Sequence, residues 1–105
     1  MQFTSYLENG HLTIALSGEI DHHRAKMYMQ AISAKIEAYM PKICTLDFKD
    51  VGFVDSSGIA VVIGALRNMN RIGGKLMLCE LGDQPSKVFR MSGIDKLVDI
   101  KEGVL

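Results

Sequence analysis

A short polar run, Asp55-Ser56-Ser57-Gly58, separates a strand-like segment from an apolar helical segment. Before it, Leu46 to Val54 contains many residues that favour strands, and after it Ile59 to Gly64 is almost wholly apolar. A change from strand-like to helical character within a few residues predicts a strand-to-helix junction. We therefore expect the polar run to lie at the end of a strand and to open a helix.

The composition of this run indicates more than a helix cap. An Asp or Ser before a helix accepts a hydrogen bond from one of the first free backbone N–H groups, which the helix dipole also makes favourable for anions. One cap needs only one such side chain, but Asp55, Ser56 and Ser57 follow one another, and Gly58 removes side-chain bulk beside them. The surplus predicts an exposed, modifiable hydroxyl, although the residues alone do not choose between Ser56 and Ser57.

Length and charge limit the class of protein. The 105 residues, 48% of them hydrophobic, are enough for one core, so we expect a single domain over residues 1–105. Twelve basic and twelve acidic residues cancel, which disfavours direct binding to nucleic acid or to an anionic membrane. The longest apolar run, Ile59 to Leu66, is too short to span a bilayer, and the N-terminus lacks signal-peptide character. A cytoplasmic location is expected.

The first third of the chain predicts a hairpin followed by a helix. Phe3–Leu7 and Leu12–Leu16 are strand-like and flank Asn9-Gly10, a strong hairpin signal. Asp21 is placed to cap a helix from about His22 to Tyr39, which Pro41 ends. The residues predicted for its buried face, at helical spacing, are Ala25, Met29, Ile32 and Ile36.

The rest of the chain predicts alternating strands and helices. Ile43–Phe48 has little polar alternation, which is typical of a strand covered on both faces. A helix over Ser56–Ile72 and a strand over Lys75–Leu81 complete a βαβ unit. A short helix from Asp83 to Met91 and a strand over Leu97–Ile100 follow.

These elements predict an α/β domain with a mixed sheet: an N-terminal antiparallel hairpin, then parallel βαβ units, with helices packed against the sheet. In such sheets the loops at the carboxyl ends of the strands carry the binding sites. Asp21 and Asp55 both follow predicted strands, so we expect them on the same rim.

Enzymatic alternatives have weak support. The serines lack the flanking glycines of a GxSxG nucleophile, and the adjacent His22 and His23 cannot both point at one serine. The histidine pair has no evident third ligand for a metal, and no glycine pattern matches a phosphate-binding loop. Asp55 as an aspartyl phosphoacceptor would need an acidic pair after the first strand, which is missing. No metal or cofactor is predicted.

The sulfur-containing residues are interpreted as parts of the core. Cys44 and Cys79 are each in an apolar segment and have no CxxC spacing, so we expect buried free thiols. The methionines assigned to the core are Met29, Met69, Met77 and Met91.

Four segments together carry a family resemblance. They are Gly18-Glu19-Ile20-Asp21-His22-His23, Phe53-Val54-Asp55-Ser56-Ser57-Gly58-Ile59, Ile72-Gly73-Gly74 and Met91-Ser92-Gly93-Ile94. At this separation they resemble the anti-sigma factor antagonists, which are single STAS domains, and the histidine pair resembles the sporulation branch. Ile59-Ala60 departs from the pattern, in which Leu-Gly is common.

The resemblance implies a regulatory module that is not an enzyme. Its unphosphorylated form would bind an anti-sigma factor that is also a serine kinase and so release a sigma factor; phosphorylation would end the binding and a serine phosphatase would reverse it. The phosphoacceptor maps to Ser56, and the expected partner-binding residues are Asp21, His22, Asp55, Ser57 and Gly58. The alternatives are a STAS module that senses a small molecule or a nucleotide, or an enzyme that uses the Asp55-Ser56 rim.

Overall fold

A single five-stranded sheet is the frame of the computed structural model, which describes residues 3–101. The strands are β1 (Phe3–Glu8), β2 (His11–Ile20), β3 (Ile43–Val54), β4 (Lys75–Cys79) and β5 (Asp99–Lys101). The helices are α1 (Ala25–Tyr39), α2 (Ser56–Arg71) and α3 (Asp83–Met91), and a 3₁₀ turn covers Ile94–Lys96.

The strands lie in the order β1-β2-β3-β4-β5. β1 and β2 are antiparallel, and each later neighbouring pair is parallel. At the hairpin, Asn9 has φ of 53° and Gly10 has φ of 80°, the two left-handed conformations that a tight two-residue turn requires. The predicted mixed α/β sheet and its opening hairpin are confirmed.

The hydrophobic core lies on one face of the sheet. Alternate residues of the three central strands are buried together with residues of all three helices. The strand residues in this core are Leu12, Ile14, Leu16, Ile20, Cys44, Leu46, Phe48, Val51, Val54, Leu76 and Leu78. On the opposite face of β3, Ile43 and Asp47 are only half-buried, although Thr45, hydrogen-bonded to His11 at 2.7 Å, is buried. The prediction that this strand is covered on both faces therefore holds for only one face.

Strand β3 is longer than the predicted Ile43–Phe48 and continues to Val54. Its pairing with β2 shifts register twice, between Ala15 and Ser17 and between Gly18 and Glu19 of β2. Bulges of this kind disturb the two-residue alternation that identifies a strand in a sequence. The extension brings the end of β3 level with the end of β2.

Helix α1 begins at Ala25, three residues later than predicted. Residues 22–24 form a turn instead. Tyr28, which the predicted buried face omitted, is fully buried and donates a hydrogen bond of 2.5 Å to the carbonyl of Ser17, while Met29 is only half-buried. The helix ends at Tyr39, as predicted, because Met40 takes a left-handed conformation ahead of Pro41.

The last elements differ from prediction mainly in length. β4 ends at Cys79 and not at Leu81, because Glu80 has φ of 58° and turns the chain. Helix α3 has the predicted bounds. The final strand is Asp99–Lys101, preceded by the 3₁₀ turn. The sequence predicts no secure helix over 101–105, a segment too short for one. Residues 102–105, like residues 1–2, lie outside the described residues.

Three of the assignments to the core need correction, those of Cys79, Met77 and Met91. Cys44 and Cys79 are both free, but only Cys44 is buried, and Cys79 is half-buried on the opposite face of the sheet. Met69 is fully buried, Met29 and Met77 are half-buried, and Met91 is 83% exposed, because it lies at the end of the short helix α3.

Within residues 3–101, no helix is both long enough and apolar enough to cross a membrane.

Candidate functional site

The carboxyl ends of β2 and β3 meet at one point of the sheet. Ile20 pairs with Val54, and the backbone N–H of Asp55 donates to the carbonyl of Ile20 at 3.1 Å. Asp21 and Asp55 each follow one of these paired residues directly. The two strand-to-helix junctions that the sequence predicted are therefore neighbours on the same rim.

Asp55 holds both junctions with its carboxylate. Oδ1 accepts from the backbone N–H of Ser57 at 2.7 Å, which caps α2, and Oδ2 accepts from the N–H of His22 at 3.1 Å. The carbonyl of Asp55 also accepts from the N–H of Gly58 at 2.9 Å. Because charged acceptors make the stronger hydrogen bonds, this carboxylate is well suited to fix the geometry of the rim.

Ser56 is the first residue of α2 and is exposed to solvent. Its hydroxyl has no hydrogen-bond partner among residues 3–101, and the cap of the helix is made by Asp55. Ser57 is half-buried, and its N–H is the group that Asp55 holds. The two serines therefore differ in exposure, and the Ser56 hydroxyl is the more accessible of the two to a second molecule.

Asp21 caps the turn that leads into α1. Its Oδ1 accepts from the N–H of Arg24 at 3.0 Å, and its carbonyl accepts from the N–H of Ala25 at 2.9 Å. The side chain is half-buried and contacts the chain through a single carboxylate oxygen in these hydrogen bonds. A carboxylate in this position is available to a partner while it supports the local fold.

Gly58 and the two histidines occupy different surroundings. Gly58 is buried, and a Cβ placed on it would lie 3.0 Å from Cβ of Val54. His22 and His23 are exposed, and their rings pack edge to face with centroids 5.8 Å apart. No group of three or more potential metal-ligating His, Cys, Asp or Glu residues occurs in the described part of the chain.

Gln84 is a residue at this site that the sequence did not indicate. From the first turn of α3, its side-chain Nε2 donates to the carbonyl of Val54 at 2.8 Å, and its Oε1 accepts from the N–H of the same residue at 2.9 Å. The contact spans 30 positions, so no local pattern could reveal it. It joins α3 to the residue directly before Asp55.

Neither of the two thiols is activated as a nucleophile. Burial raises the pKa of Cys44 to about 12. Burial, with smaller contributions from the carboxylates of Asp47 and Glu80, raises the pKa of Cys79 to about 11. Both are therefore protonated at neutral pH, and neither has the lowered pKa of a nucleophilic cysteine.

Comparison with proteins of known sequence identifies relatives along most of the chain. An anti-sigma F factor antagonist of Paenibacillus polymyxa is 32% identical over 91 residues, which cover 87% of this chain and 78% of that protein. An anti-sigma-B factor antagonist of Listeria monocytogenes is 28% identical over 97 residues, which cover 90% of this chain and 82% of that protein.

Solved structures agree with these relatives. The unphosphorylated anti-sigma factor antagonist SpoIIAA superposes with a TM-score of 0.81 at 26% identity, covering 98% of this chain and 89% of SpoIIAA. The phosphorylated form of SpoIIAA from Bacillus gives a TM-score of 0.73 at the same identity, covering 98% and 92%. Residues 3–104 match the STAS domain family. With its mixed sheet and its serine at the start of α2, the chain belongs to the STAS domain family.

Proposed function

We propose that this chain is an anti-sigma factor antagonist controlled by phosphorylation of Ser56. In its unphosphorylated form it binds an anti-sigma factor that is also a serine kinase, and this binding frees a sigma factor. Phosphorylation ends the binding, and a serine phosphatase acting on phospho-Ser56 restores it. The chain acts in the cytoplasm as a binding module and not as an enzyme.

The exposure of Ser56 is the observation that carries this proposal. Asp55 performs the capping of α2 through the N–H of Ser57, so the neighbouring hydroxyl has no structural task within the described residues. The relatives named as anti-sigma factor antagonists and the two forms of SpoIIAA support the same reading. A kinase can reach Ser56 without unfolding any element.

The proposed transfer is an ordinary kinase reaction. The Ser56 Oγ bonds to the γ-phosphorus of ATP bound to the kinase, the bond from that phosphorus to the bridging oxygen breaks, and ADP leaves. The hydroxyl proton passes to a base of the kinase. The phosphate adds about −1.5 to −2 charges at the start of α2.

The new charge has opposite effects inside and outside the domain. Within the domain, the amino end of α2 favours an anion by only about 0.3–1 kcal/mol. At an interface, a charge without a partner costs several kcal/mol. The unmodified partner surface is proposed to include Asp21, His22, Asp55 and Ser57, with buried Gly58 acting through packing.

The test uses the purified chain, Mg-ATP and the anti-sigma factor kinases of the same genome. Intact mass should increase by one phosphoryl group, and peptide mapping should place it on Ser56. Ser56→Ala should abolish the gain and keep partner binding, whereas the matched control Ser57→Ala should still be phosphorylated on Ser56.

Two results would contradict the proposal. Phosphate on Ser57 in the wild-type chain would reverse the assignment of the acceptor. Hydrolysis of acyl or phosphate esters by the chain alone, lost in Ser56→Ala, would instead support an enzyme that uses the same rim.

A further inference from the structure

We infer that Gln84 is a positioning residue for Ser56 and acts on it through Val54 and Asp55. The inference rests on the proposed role of Ser56 as phosphoacceptor. It concerns a contact between α3 and the end of β3, made by Gln84 and Val54, which are 30 positions apart in the chain. It assigns to the first turn of α3 a part in the phosphorylation switch.

The end of β3 lacks a neighbouring strand on one side. β4 pairs with β3 only as far as Asp47, which lies opposite Cys79, while β3 continues to Val54. On the other side, β2 accompanies β3 to its end through the pair of Ile20 and Val54. The peptide groups of Val54 that point away from β2 would therefore be unpaired without another partner.

The side-chain amide of Gln84 pairs with the N–H and carbonyl of Val54 as a neighbouring strand would. Its amide donates to the carbonyl of Val54 at 2.8 Å and accepts from the N–H at 2.9 Å. Only a primary amide offers one donor and one acceptor side by side; a carboxylate lacks the donor and an ammonium lacks the acceptor. Val54 itself is fully buried, so these bonds satisfy peptide groups next to the core.

From Val54 the constraint reaches Ser56 in two short steps. The next residue is Asp55, whose N–H is held by Ile20 and whose carboxylate holds His22 and Ser57. Val54 also packs against Gly58, so that the end of β3 and the first turn of α2 are in direct contact. A shift of Val54 moves the segment that carries the Ser56 hydroxyl.

Phosphoryl transfer is sensitive to the position of the attacking oxygen, so loosening this segment should lower the rate of transfer more than the binding of the kinase. We expect removal of the amide to reduce kcat for phosphorylation of Ser56 by roughly tenfold and to change KM by less than about twofold. A purely structural role of Gln84 in holding α3 would leave kcat unchanged.

The experiment compares three variants. Gln84→Met keeps the length of the side chain but removes both hydrogen bonds. Gln84→Glu keeps the acceptor for the Val54 N–H but places a carboxylate oxygen against the Val54 carbonyl. It should therefore also loosen this segment, and it provides a second test if the methionine variant folds poorly. The matched control is Gln30→Met, the same change at an exposed glutamine of α1.

Two measurements are made on each variant. Amide hydrogen exchange followed by NMR reports on the N–H groups of Val54 and Ser57, and steady-state phosphorylation with Mg-ATP reports on kcat and KM. In Gln84→Met, both amides should exchange at least roughly tenfold faster than in the wild type, and kcat should fall as stated. Gln30→Met should match the wild type in both measurements.

Three results would overturn the inference. One is unchanged exchange of the Val54 amide; another is faster exchange at Val54 with unchanged exchange at Ser57; the third is a loss of both protections with an unchanged kcat. If no kinase phosphorylates the wild-type chain, the proposed function fails, yet hydrogen exchange at Ser57 still shows whether Gln84 holds the site.

Discussion

The backbone N–H of His22 donates to Oδ2 of Asp55 at 3.1 Å, across 33 positions of the chain. The same carboxylate caps α2 through Ser57, so one side chain connects the turn before α1 with the first turn of α2. The N–H of His22 is thereby used outside helix α1, and the residues that follow it form a turn. Asp55 thus connects the turn before α1 to the start of α2, and it is also the neighbour of the proposed phosphoacceptor Ser56.

Replacing Asp55 should separate its two hydrogen bonds. Asp55→Ala removes both the cap of α2 and the acceptor for His22, and should lower the free energy of unfolding by about 1–3 kcal/mol. Asp55→Asn retains one amide oxygen, which can cap Ser57, and should lose about 1 kcal/mol. Urea unfolding of both variants measures the difference. Equal losses would show that the cap on Ser57 contributes nothing, and wild-type stability of Asp55→Asn would show that the bond to His22 contributes nothing.

Asp21→Asn should distinguish a cap from a partner contact. Asn accepts the N–H of Arg24 as Asp does, so stability should stay within about 0.5 kcal/mol of the wild type. Without the charge, the rate of phosphorylation or the affinity for the kinase should change. Melting temperature and a binding isotherm are measured together, with Asp21→Ala as the control that also loses the cap. Unchanged binding and phosphorylation in Asp21→Asn would limit Asp21 to a structural role.

Gly58→Ala and Gly64→Ala form a matched pair on helix α2. A Cβ at Gly58 would lie 3.0 Å from Cβ of Val54, an atom close to a backbone that Gln84 holds, so we expect a loss of about 1–2 kcal/mol. A Cβ at Gly64 would lie 3.7 Å from Sδ of Met29, an ordinary contact, so helix propensity should make that variant more stable by up to about 1 kcal/mol. Thermal unfolding checks the opposite signs; stabilisation by Gly58→Ala would contradict the packing argument.

Cys44 should make the domain less stable at alkaline pH. Its pKa is raised from the reference value of 9.0 to about 12 by burial. Above about pH 9 the unfolded chain loses the thiol proton while the folded chain keeps it, so the stability contributed by the thiol is full below pH 9 and is lost as pH rises toward 12.

The measurement is urea unfolding at about pH 8 and about pH 10 for the wild type and for Cys44→Ala. The alanine variant should be less stable at both values because of the cavity, but its stability should fall less between them. Equal falls in the two proteins would show that Cys44 does not contribute to the pH dependence.

Phosphorylation of Ser56 should change binding without changing the fold. Since Asp55, and not Ser56, caps α2, the phosphate replaces no internal hydrogen bond of the described residues. Circular dichroism should therefore be the same in the two forms, while affinity for the kinase should fall at least roughly a hundredfold, equivalent to about 2.7 kcal/mol. A large loss of helix on phosphorylation would contradict a mechanism based on local charge.

The sequence predicted those elements whose residues act locally. The Asn9-Gly10 hairpin, the start of α2 at Ser56 and the bounds of α3 depend on turn chemistry and capping, which neighbouring residues determine. The surplus of polar residues before α2 also predicted an exposed hydroxyl, and Ser56 is exposed. For these elements, local preference and tertiary structure agree.

Other features depended on contacts that no short segment contains. The start of α1 was predicted too early because the N–H of His22 is bound by Asp55 from another junction. Tyr28 was missed because its hydroxyl finds an acceptor at Ser17, which lets an amphipathic side chain become fully buried. Gln84 was missed for the same kind of reason. Glutamine is usually a surface residue, and here its side chain bonds to Val54 of β3, which is distant in the sequence.

The two register shifts between β2 and β3 have a consequence for how the chain tolerates changes in length. β2 reaches from Ala15 to Ile20 while β3 reaches from Asp47 to Val54, so β3 uses two more residues over the same distance. Removing one residue from Lys49–Phe53 would turn the side chains that follow to the opposite face, placing Asp55 where Val54 now enters the core. Substitutions in this segment leave that count intact, whereas single deletions or insertions would misplace the serine even in a sheet that still pairs.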